Sequence, residues 1–332
     1  MIRWGVIGAG HMAKVFAQSI KEVDNAELIA IASKDENNLQ TVGNEFKIDQ
    51  KLRFNSYDDI CKSSVVDAIY ISTLNNTHFD LIKLSAQNNK NVLCEKPFCL
   101  NLIEALEIQN ILKKKSVKFF EAIAYLSHNQ TDQIFKIIKS DEIGEVESIE
   151  SSFGFKVKKI DPKSRLFNKK LGGGAILDVG CYPLSFISLF AKKENKIEFI
   201  DTYGDIGYTN VDMAATANLL VDNKVKCKIQ ISLQDNFKNN SIIKGSKGTM
   251  IINFPWLPEK KVFLEIFCKN RYYKFFINSN LSVYANQIKN VSDEFLKKEN
   301  SNSRLFNIYK SVENMKNLDY WMKNIDNKPQ DS

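Results

Sequence analysis

The segment "VIGAGHMA" (6–13) decides the fold class of this 332-residue chain. An apolar run ends at Gly8, and apolar residues recur at helical spacing directly afterwards. The turn matches the pattern G-x-G-x-x-G/A, in which the first glycine permits a tight turn and the second lets the backbone approach a pyrophosphate. Gly8 and Gly10 take these two places, and the small Ala13 lets the helix pack closely on the strand. The segment therefore predicts the first strand, turn and helix of a dinucleotide-binding domain.

The first third of the chain alternates strand-like and helix-like stretches. Apolar strand-like runs occupy residues 2–8, 27–33, 65–73, 91–95 and 117–122, and the clearest helical stretches are residues 78–89 and 101–115. Continuously apolar strands separated by helices are typical of a parallel sheet that is covered on both faces. We therefore expect a doubly wound Rossmann domain over residues 1–122. The backbone N–H groups of His11 and Met12 would face a bound anion at the start of its first helix.

The sequence pattern changes after residue 122. Strand-like segments now follow one another through short turns such as Asp222-Asn223, which is typical of antiparallel hairpins. The strand candidates are residues 145–155, 197–204, 212–221, 224–234, 248–254, 261–268 and 272–278, and the helix candidates are residues 128–140, 284–298 and 304–324. We expect residues 123–330 to form an α+β domain with an open, largely antiparallel sheet and helices on one face.

Apolar side chains occupy both alternations of one predicted strand of this sheet, namely Phe263, Leu264, Ile266 and Phe267. A sheet that is covered by helices on one face would then expose apolar side chains on the other face. Exposed apolar faces of this kind mark interfaces. We therefore expect the chain to form a homodimer or a homotetramer through this sheet.

The composition limits the classes of partner. The net charge of +7 comes without a basic stripe of interleaved aromatic residues, so we expect no nucleic-acid binding. Only three histidines and no C-x-x-C pair are present, which argues against a zinc site, and we expect no metal. We see no apolar run long enough to cross a bilayer, and the first strand-like run starts at Ile2. These features predict a cytoplasmic protein with reduced, mostly buried thiols.

The end of the second strand distinguishes NADP from NAD. An acidic residue at this position would bind the ribose 2′-OH of NAD, whereas a basic residue favours the 2′-phosphate of NADP. The sequence here is Ser33-Lys34-Asp35, with a hydroxyl and an ammonium before the carboxylate. We therefore predict NADP, with Ser33 and Lys34 as its contacts. The alternative is that Lys34 is a solvated turn residue and that Asp35 binds the ribose of NAD.

Polar side chains also follow two later strands, at the edge where open α/β sheets bind their ligands. The candidates for contact with the cofactor are Ser72, Thr73, Asn75 and His78 after one strand, and Glu95 and Lys96 after the next. Lys96 ends the apolar run of "VLCEKPF" (92–98) and precedes Pro97, which restricts the backbone beside it. We expect its ammonium to face the crevice where a nicotinamide would lie. The alternative is that these charges only mark a strand end at the surface.

A glycine-rich block, "LGGGAILDVGCYPLSF" (171–186), is the second unusual segment. Its three consecutive glycines allow a close backbone approach. Asp178 and Tyr182 are four residues apart and would share a face of one helix, although Gly180 and Pro183 make a continuous helix doubtful. Both are candidates for substrate contact and catalysis. Two alternatives remain open: Asp178 would be a helix N-cap, and Tyr182 a core aromatic residue with a satisfied hydroxyl.

A basic segment, residues 155–170, leads into the glycine-rich block and is expected to form a loop over the substrate. Arg165 within it could clamp a hydroxyl pair, a carboxylate or a phosphate of the substrate. The alternative is a solvated, lysine-rich loop without a binding role.

Together, "GAGHMA", "CEKPF" and "GGGAILDVGCYP", in this order, resemble the glucose-fructose oxidoreductase / inositol dehydrogenase family. The resemblance covers essentially the whole chain. It implies that the Rossmann domain carries the nicotinamide cofactor and that the C-terminal sheet supplies the substrate pocket and the oligomer interface. It also implies that Lys96 contacts the reacting hydroxyl and that Asp178 orients the substrate or the catalytic group. Tyr182, where many members have histidine, resembles the branch with NADP-dependent xylose dehydrogenase and dimeric dihydrodiol dehydrogenase.

The chemistry of these residues is consistent with hydride transfer at a carbinol or carbonyl carbon. A free tyrosine has a pKa of about 10, which is too high for a base at neutral pH, and a nearby ammonium would lower it. Lys96 and Tyr182 would then form a proton-transfer pair. We therefore predict an NAD(P)-dependent dehydrogenase or reductase of a sugar, polyol or dihydrodiol. Sugar nucleotides stay open as substrates, and so does a non-catalytic NADP-binding regulator on the same fold.

Overall fold

The computed structural model describes residues 1–192, 197–297 and 304–327, and its chain divides into two compact units. The first unit consists of Met1–Ser127 and Asn280–Val312. The second consists of His128–Ser279 and the described chain from residue 313 onward. Both units combine helices with a sheet, so the predicted α/β class with two domains is confirmed.

The first unit is built on a seven-stranded sheet. Its strands are β1 (Ile2–Ile7), β2 (Ala26–Ala32), β3 (Arg53–Phe54), β4 (Ala68–Ile71), β5 (Asn91–Cys94), β6 (Phe119–Glu121) and β15 (Phe306–Asn307). The spatial order is β3-β2-β1-β4-β5-β6-β15, and every pair is parallel except β6 with β15. The order reverses between β1 and β4, so the carboxyl ends of these two strands mark the place where Rossmann folds bind dinucleotides.

Among the described residues, six helices belong entirely to this unit. They are α1 (His11–Ser19), α2 (Glu36–Glu45), α3 (Tyr57–Lys62), α4 (His78–Gln87), α5 (Leu102–Lys113) and α8 (Val283–Phe295). Amphipathic spacing directs Phe16 of α1 and Phe295 of α8 into one core with Trp4 and Tyr70 of the sheet. The Trp4 indole donates to the Ser292 hydroxyl over 3.1 Å, which ties α8 to the first strand.

The predicted division assigned all of residues 123–330 to the second domain, whereas residues 280–312 return to the first unit. The apolar face of α8 packs on the Rossmann sheet and completes its core. An apolar stripe on a helix shows which face is buried but does not show which sheet covers it, so the sequence pattern could not reveal this return.

The second unit is built on a nine-stranded sheet. Its strands are β7 (Val146–Gly154), β8 (Ile197–Ile206), β9 (Asp212–Val221), β10 (Val225–Ser232), β11 (Asn240–Gly245), β12 (Gly248–Asn253), β13 (Lys261–Cys268), β14 (Arg271–Asn278) and β16 (Asp326–Asn327). The order is β14-β13-β12-β11-β7-β10-β9-β8-β16, with β7–β10 and β8–β16 as the parallel pairs. The prediction of a largely antiparallel sheet is confirmed.

Helices of the second unit are α6 (Asn129–Lys139) and α7 (Cys181–Ser188), the latter continuing directly from a π-helical turn at Ile176–Gly180. Helix α9 (Ile308–Lys323) contains the point where the chain passes from the first unit to the second. One stretch, Lys169–Ser188, is by length and composition alone long and apolar enough to cross a membrane, which corrects the expectation that the chain contains no such run. It is mostly buried within the protein, and buried core helices satisfy the same test, so this evidence for a span is weak.

The β13–β14 pair leaves one sheet face open. Leu264 and Ile266 are fully buried, while Phe267 and Phe276 on the other face are 41% and 71% exposed. The strand register sets Phe263 opposite Phe276 and Phe267 opposite Tyr272, which forms an aromatic stripe. We call these four residues the aromatic stripe.

Candidate active site

The glycine turn after β1 has the geometry of a phosphate-binding loop. Gly8 has φ +105°, and a Cβ there would lie 2.8 Å from the Ser72 carbonyl oxygen, so the close approach of β1 and β4 requires glycine. Gly10 is the N-cap of α1 and has no side chain to accept from the first N–H groups of the helix. A Cβ built on Gly10 meets no atom within 4 Å. The residues present therefore fit a pyrophosphate that lies against Gly10 and the exposed His11.

Some of the polar residues after β2 stabilise the protein itself, and others are available to bind a ligand. Both oxygens of the Asp35 carboxylate serve α2, since Oδ1 accepts from the Asn38 N–H at 3.0 Å and Oδ2 from its side-chain amide at 2.8 Å. The Lys34 ammonium lies 5.3 Å from the ring centre of Tyr57. Ser33 is buried, and its hydroxyl accepts from the Asp35 N–H. The Asp35 side chain is thus the N-cap of α2. The sequence analysis did not identify Tyr57.

The residues after β4 lie beside the glycine turn. The Ser72 hydroxyl and backbone N–H both donate to the Ile7 carbonyl, which joins the ends of β4 and β1. The Thr73 and Thr77 hydroxyls are 2.7 Å apart, and Asn75 is buried. These positions are at the switch point of the sheet, as expected for nicotinamide contacts.

His78 occupies a different place from the one the sequence analysis expected. The ring is fully buried, with Nδ1 2.8 Å from the Pro97 carbonyl oxygen and Nε2 3.3 Å from the Thr73 carbonyl oxygen. Burial lowers the pKa of His78 to about 4, so the ring is neutral at pH 7. A neutral ring has one N–H, and the shorter contact assigns it to Nδ1. The buried ring thus donates its one N–H to the Pro97 carbonyl within the protein.

Lys96 lies in a short turn directly after β5. The Glu95 N–H donates to the Ile71 carbonyl at 2.9 Å, and the Lys96–Pro97 peptide bond is cis. The Tyr70 hydroxyl donates to Glu95 Oε1 at 2.5 Å. The turn therefore begins with a carboxylate that is held by a buried phenol and continues with the lysine, at the carboxyl edge of the nucleotide-binding sheet.

Two further groups share the electrostatic environment of Lys96. Burial raises the pKa of Glu121 to about 7, an effect that Glu95 reinforces and the Lys96 ammonium opposes. Burial also raises the pKa of Tyr284 to about 12. Glu95 raises this pKa further, and the Lys96 ammonium lowers it. The Tyr284 hydroxyl therefore stays protonated at pH 7. Sequence reasoning assigned no role to either residue.

The glycine-rich block packs against its own unit. Gly174 has φ +122°, and a Cβ there would collide with the Asp212 carboxylate. Asp212 accepts from the Ile176 N–H at 2.6 Å and also from the Ala175 N–H. Burial raises the pKa of Asp212 to about 7. A Cβ on Gly173 would lie 2.7 Å from the Leu166 carbonyl oxygen. The close approach expected from the three glycines is thus made to neighbouring protein backbone and to a capping carboxylate.

Asp178, Arg165 and Tyr182 occupy this helical segment and the loop before it. Asp178 lies in the π-helical turn and is 5% exposed, so it is not an N-cap, a role that Asp212 performs. Arg165 Nη1 donates to Asp178 Oδ1 at 2.7 Å, which brings these two predicted residues together. Tyr182 of α7 is 8% exposed, and its ring meets Phe153 edge to face at 5.5 Å. Within the described residues, no group of three or more His, Cys, Asp or Glu side chains could hold a metal ion.

Comparison with known proteins gives this arrangement a family context. Residues 2–123 match an oxidoreductase family with an NAD-binding Rossmann fold, and residues 131–251 match the GFO/IDH/MocA C-terminal domain. The chain is 28% identical over 262 residues to trans-1,2-dihydrobenzene-1,2-diol dehydrogenase of Xenopus tropicalis, with 77% of each chain covered. It is 28% identical over 265 residues to the Mus musculus enzyme of that name, with 79% of this chain and 77% of that enzyme covered.

Two solved structures share the fold over nearly the whole chain. A 3-ketoreductase from Actinomadura kijaniata, in complex with NADP and TDP-benzene, has a TM-score of 0.87 at 21% identity and covers 98% of both chains. An aldose-aldose oxidoreductase from Caulobacter crescentus, complexed with glycerol, has a TM-score of 0.87 at 18% identity and covers 97% of this chain and 96% of its own. Because both parts of the chain match one family, the protein belongs to the GFO/IDH/MocA family of NAD-binding oxidoreductases.

Proposed function

We propose that this oxidoreductase transfers a hydride between NADP and a carbinol or carbonyl carbon of a sugar, polyol or dihydrodiol, with Lys96 and Tyr182 as the proton-transfer pair. The observation that carries the proposal is the position of Lys96. Its turn follows β5 at the carboxyl edge of the nucleotide-binding sheet, where its neighbour Glu95 is fixed by a buried phenol. A lysine that served only as a solvated strand end would need no such support.

The nicotinamide, when bound, supplies the hydride acceptor or donor. In the oxidation direction, the C–H bond of the carbinol carbon breaks with hydride loss, and the O–H proton passes to the Tyr182 phenolate. The Lys96 ammonium stabilises the developing alkoxide and favours the phenolate. Reduction reverses the same steps. The motifs that contain Lys96 and Tyr182 occur in this chain in an order that resembles the family, which supports this pairing. Asp178, with its partner Arg165, would orient the substrate hydroxyls.

NADP is the preferred cofactor in this proposal. The Asp35 carboxylate caps α2, and the neighbouring Lys34 ammonium lies over the Tyr57 ring. An ammonium in this position suits a 2′-phosphate better than a 2′-hydroxyl. The solved 3-ketoreductase that shares the fold was crystallised with NADP.

Dihydrodiols and aldoses are the substrates to test first, since one relative is named a dihydrodiol dehydrogenase and one structure of the same fold is named an aldose-aldose oxidoreductase. A sugar-nucleotide substrate is the second candidate, because the 3-ketoreductase of the same fold was crystallised with TDP-benzene. The deciding experiment is a screen over aldoses, inositols, dihydrodiols and sugar nucleotides that follows the absorbance of reduced cofactor with NADP and with NAD. Absence of turnover on every class, together with tight NADPH binding, would favour a non-catalytic regulator.

We also propose a cytoplasmic homodimer or homotetramer that associates through the aromatic stripe. The exposed rings of Phe267, Tyr272 and Phe276 supply an apolar surface, and the six cysteines are all buried thiols outside disulfides, as suits a reducing compartment. Light scattering at micromolar concentration should give a multiple of 38.0 kDa. Phe276→Lys should shift the measured mass toward that of the monomer. A native protein that itself has the mass of a monomer would exclude the proposal.

A further inference from the structure

Three buried polar side chains contact the Glu95–Phe98 turn at three different atoms. The Tyr70 hydroxyl donates to the Glu95 carboxylate at 2.5 Å, and the His78 ring donates to the Pro97 carbonyl at 2.8 Å. The Phe98 N–H donates to Glu121 Oε1 at 3.2 Å. These bonds lie on both sides of Lys96 in the chain, so they fix the backbone that carries the lysine from either end.

The contacts reach the turn from both faces of the sheet. Tyr70 belongs to the core that contains Phe16 and Phe295. Glu121 sits between Phe120 and Ala122, which belong to that same core, so by strand alternation its side chain points to the opposite face. Because the turn is held from two faces, a rotation that relieves one contact would strain the other.

These side chains have no evident packing reason to be polar. Burying a carboxyl, an imidazole or a phenol is unfavourable unless each group is hydrogen-bonded, and apolar residues would fill the same space at no such penalty. Tyr70 and His78 are 2% and 0% exposed, and Glu121 is 3% exposed. Each of the three makes one hydrogen bond to the turn, which offsets part of this penalty, and the Glu121 carboxyl also accepts from the Ser311 hydroxyl.

Tyr70 also connects the turn to the phosphate-binding helix. Its ring stacks on Phe16 of α1 at 4.2 Å between centroids, with 14° between the planes. Helix α1 begins at the glycine turn, so one rigid contact chain joins α1, Tyr70, Glu95 and the neighbouring lysine.

We propose that Tyr70, His78 and Glu121 are positioning residues for Lys96, which hold its turn in one geometry relative to the cofactor-binding helix. The role in turnover rests on the function proposed above, but the ordering of the turn does not. Lys96 would reach its reacting position without paying an ordering entropy at each catalytic cycle, which is the benefit of a preorganised site.

The test uses Tyr70→Phe, which removes one hydroxyl and keeps the ring on Phe16. Hydrogen–deuterium exchange of the cofactor-free protein should accelerate in peptides that cover residues 94–99 and stay native in the rest of the first unit. With a confirmed substrate, kcat should fall roughly 10- to 100-fold, while the Kd for NADPH stays within about threefold of the native value. Tyr273→Phe is the control, since the partly buried Tyr273 also donates its hydroxyl to a carboxylate, that of Glu142, in the second unit. It should change neither measurement.

A second pair of variants separates positioning from charge. Glu121→Gln keeps the acceptor for the Phe98 N–H and should retain slow exchange, whereas Glu121→Leu should accelerate it. Native exchange over residues 94–99 in Tyr70→Phe would overturn the proposal, and so would a uniform acceleration throughout the first unit. If no substrate is ever turned over, the proposed function fails, and the exchange experiment still decides whether these residues hold the turn.

Discussion

The two segments that carry the candidate catalytic residues are held in place by different means. The Lys96 turn is irregular backbone, and hydrogen bonds from the buried side chains of Tyr70, His78 and Glu121 fix it. The segment with Asp178 and Tyr182 is helical, so its own backbone bonds define most of its shape. It needs outside support at its start, where three glycines allow close packing and a buried carboxylate caps the first N–H groups. Side chains from three other elements thus contact the irregular turn, whereas one carboxylate caps the start of the helical segment.

The largest expected effect tests whether the two segments act together. Lys96→Met and Tyr182→Phe should each lower kcat by roughly 10²-fold or more, because each removes a partner in proton transfer. The double variant should lose much less than the product of the two factors, since groups that act as a unit are not additive. Steady-state kinetics on a confirmed substrate measure all three. Lys83→Met, which removes an exposed lysine paired with Glu107, is the control and should keep native turnover. Native kcat in Lys96→Met would contradict the mechanism.

Two glycine substitutions should separate structure from binding. Gly174→Ala places a Cβ against the Asp212 carboxylate at a φ of +122°, so the protein should lose about 2 kcal/mol or more of unfolding free energy. Gly10→Ala meets open space at a φ of −87° and should leave stability near native while it weakens NADPH binding. Urea denaturation and fluorescence titration provide the two readings. Equal loss of stability in both variants would show that the glycine turn after β1 is also constrained by packing.

The capping carboxylate should make the second unit sensitive to pH. The pKa of Asp212 is raised from its ordinary value of 3.8 to about 7 by burial, so the folded chain binds this proton more tightly than the unfolded chain. The resulting stabilisation is complete below about pH 4 and is lost as the pH rises to about 7. Asp212→Asn removes the titration, and the native-minus-variant difference in unfolding free energy should fall by about 1–3 kcal/mol between pH 5 and pH 7. Parallel pH curves for the two proteins would contradict this assignment.

The smallest expected effect concerns cofactor choice. Lys34→Asp should shrink the preference for NADPH over NADH by about tenfold or more, because it removes a charge-assisted contact to the 2′-phosphate. Tyr57→Ala keeps the charge but removes the ring beneath it, so the change in preference should be smaller. Fluorescence titration gives the dissociation constants of both cofactors. Equal affinities for NADPH and NADH in the native protein would refute the predicted preference.

The first unit was the easier part to predict from the sequence. Its parallel strands are continuous apolar runs, and "GAGHMA" joins the first of them to a helix with a motif whose geometry is nearly fixed. The shortest elements were harder, because β3, β15 and β16, with two residues each, carry too few side chains for a periodic pattern. The π-helical turn at Ile176–Gly180 was seen only as a doubtful helix around Gly180 and Pro183.

Site residues that stand inside a recognisable motif could be predicted from the sequence. Residues outside any motif that hold the site in place through a hydrogen bond could not. Lys96, Asp178 and Tyr182 stand inside recognisable segments. Tyr70 and Glu121 look like ordinary strand residues, and their partners are 25 and 23 positions away in sequence. Arg165 was a candidate for clamping the substrate, with a solvated loop as the alternative, and in the structure its guanidinium pairs with Asp178. Long-range hydrogen bonds of this kind leave no trace in periodicity or spacing.

The return of α8 to the first sheet has a consequence for synthesis of the chain on the ribosome. The Trp4 indole donates to Ser292, and the Asn25 side-chain amide donates to the Lys289 carbonyl and to Asp293. The nucleotide-binding unit therefore cannot complete its core until nearly 300 residues have been translated, which takes roughly 15 to 60 s at 5–20 residues per second. During that interval, the apolar surface that α8 will cover stays exposed on the nascent chain. We therefore expect the nascent unit to depend on chaperones during that interval, and a fragment that ends at Ser127 would keep this surface exposed permanently.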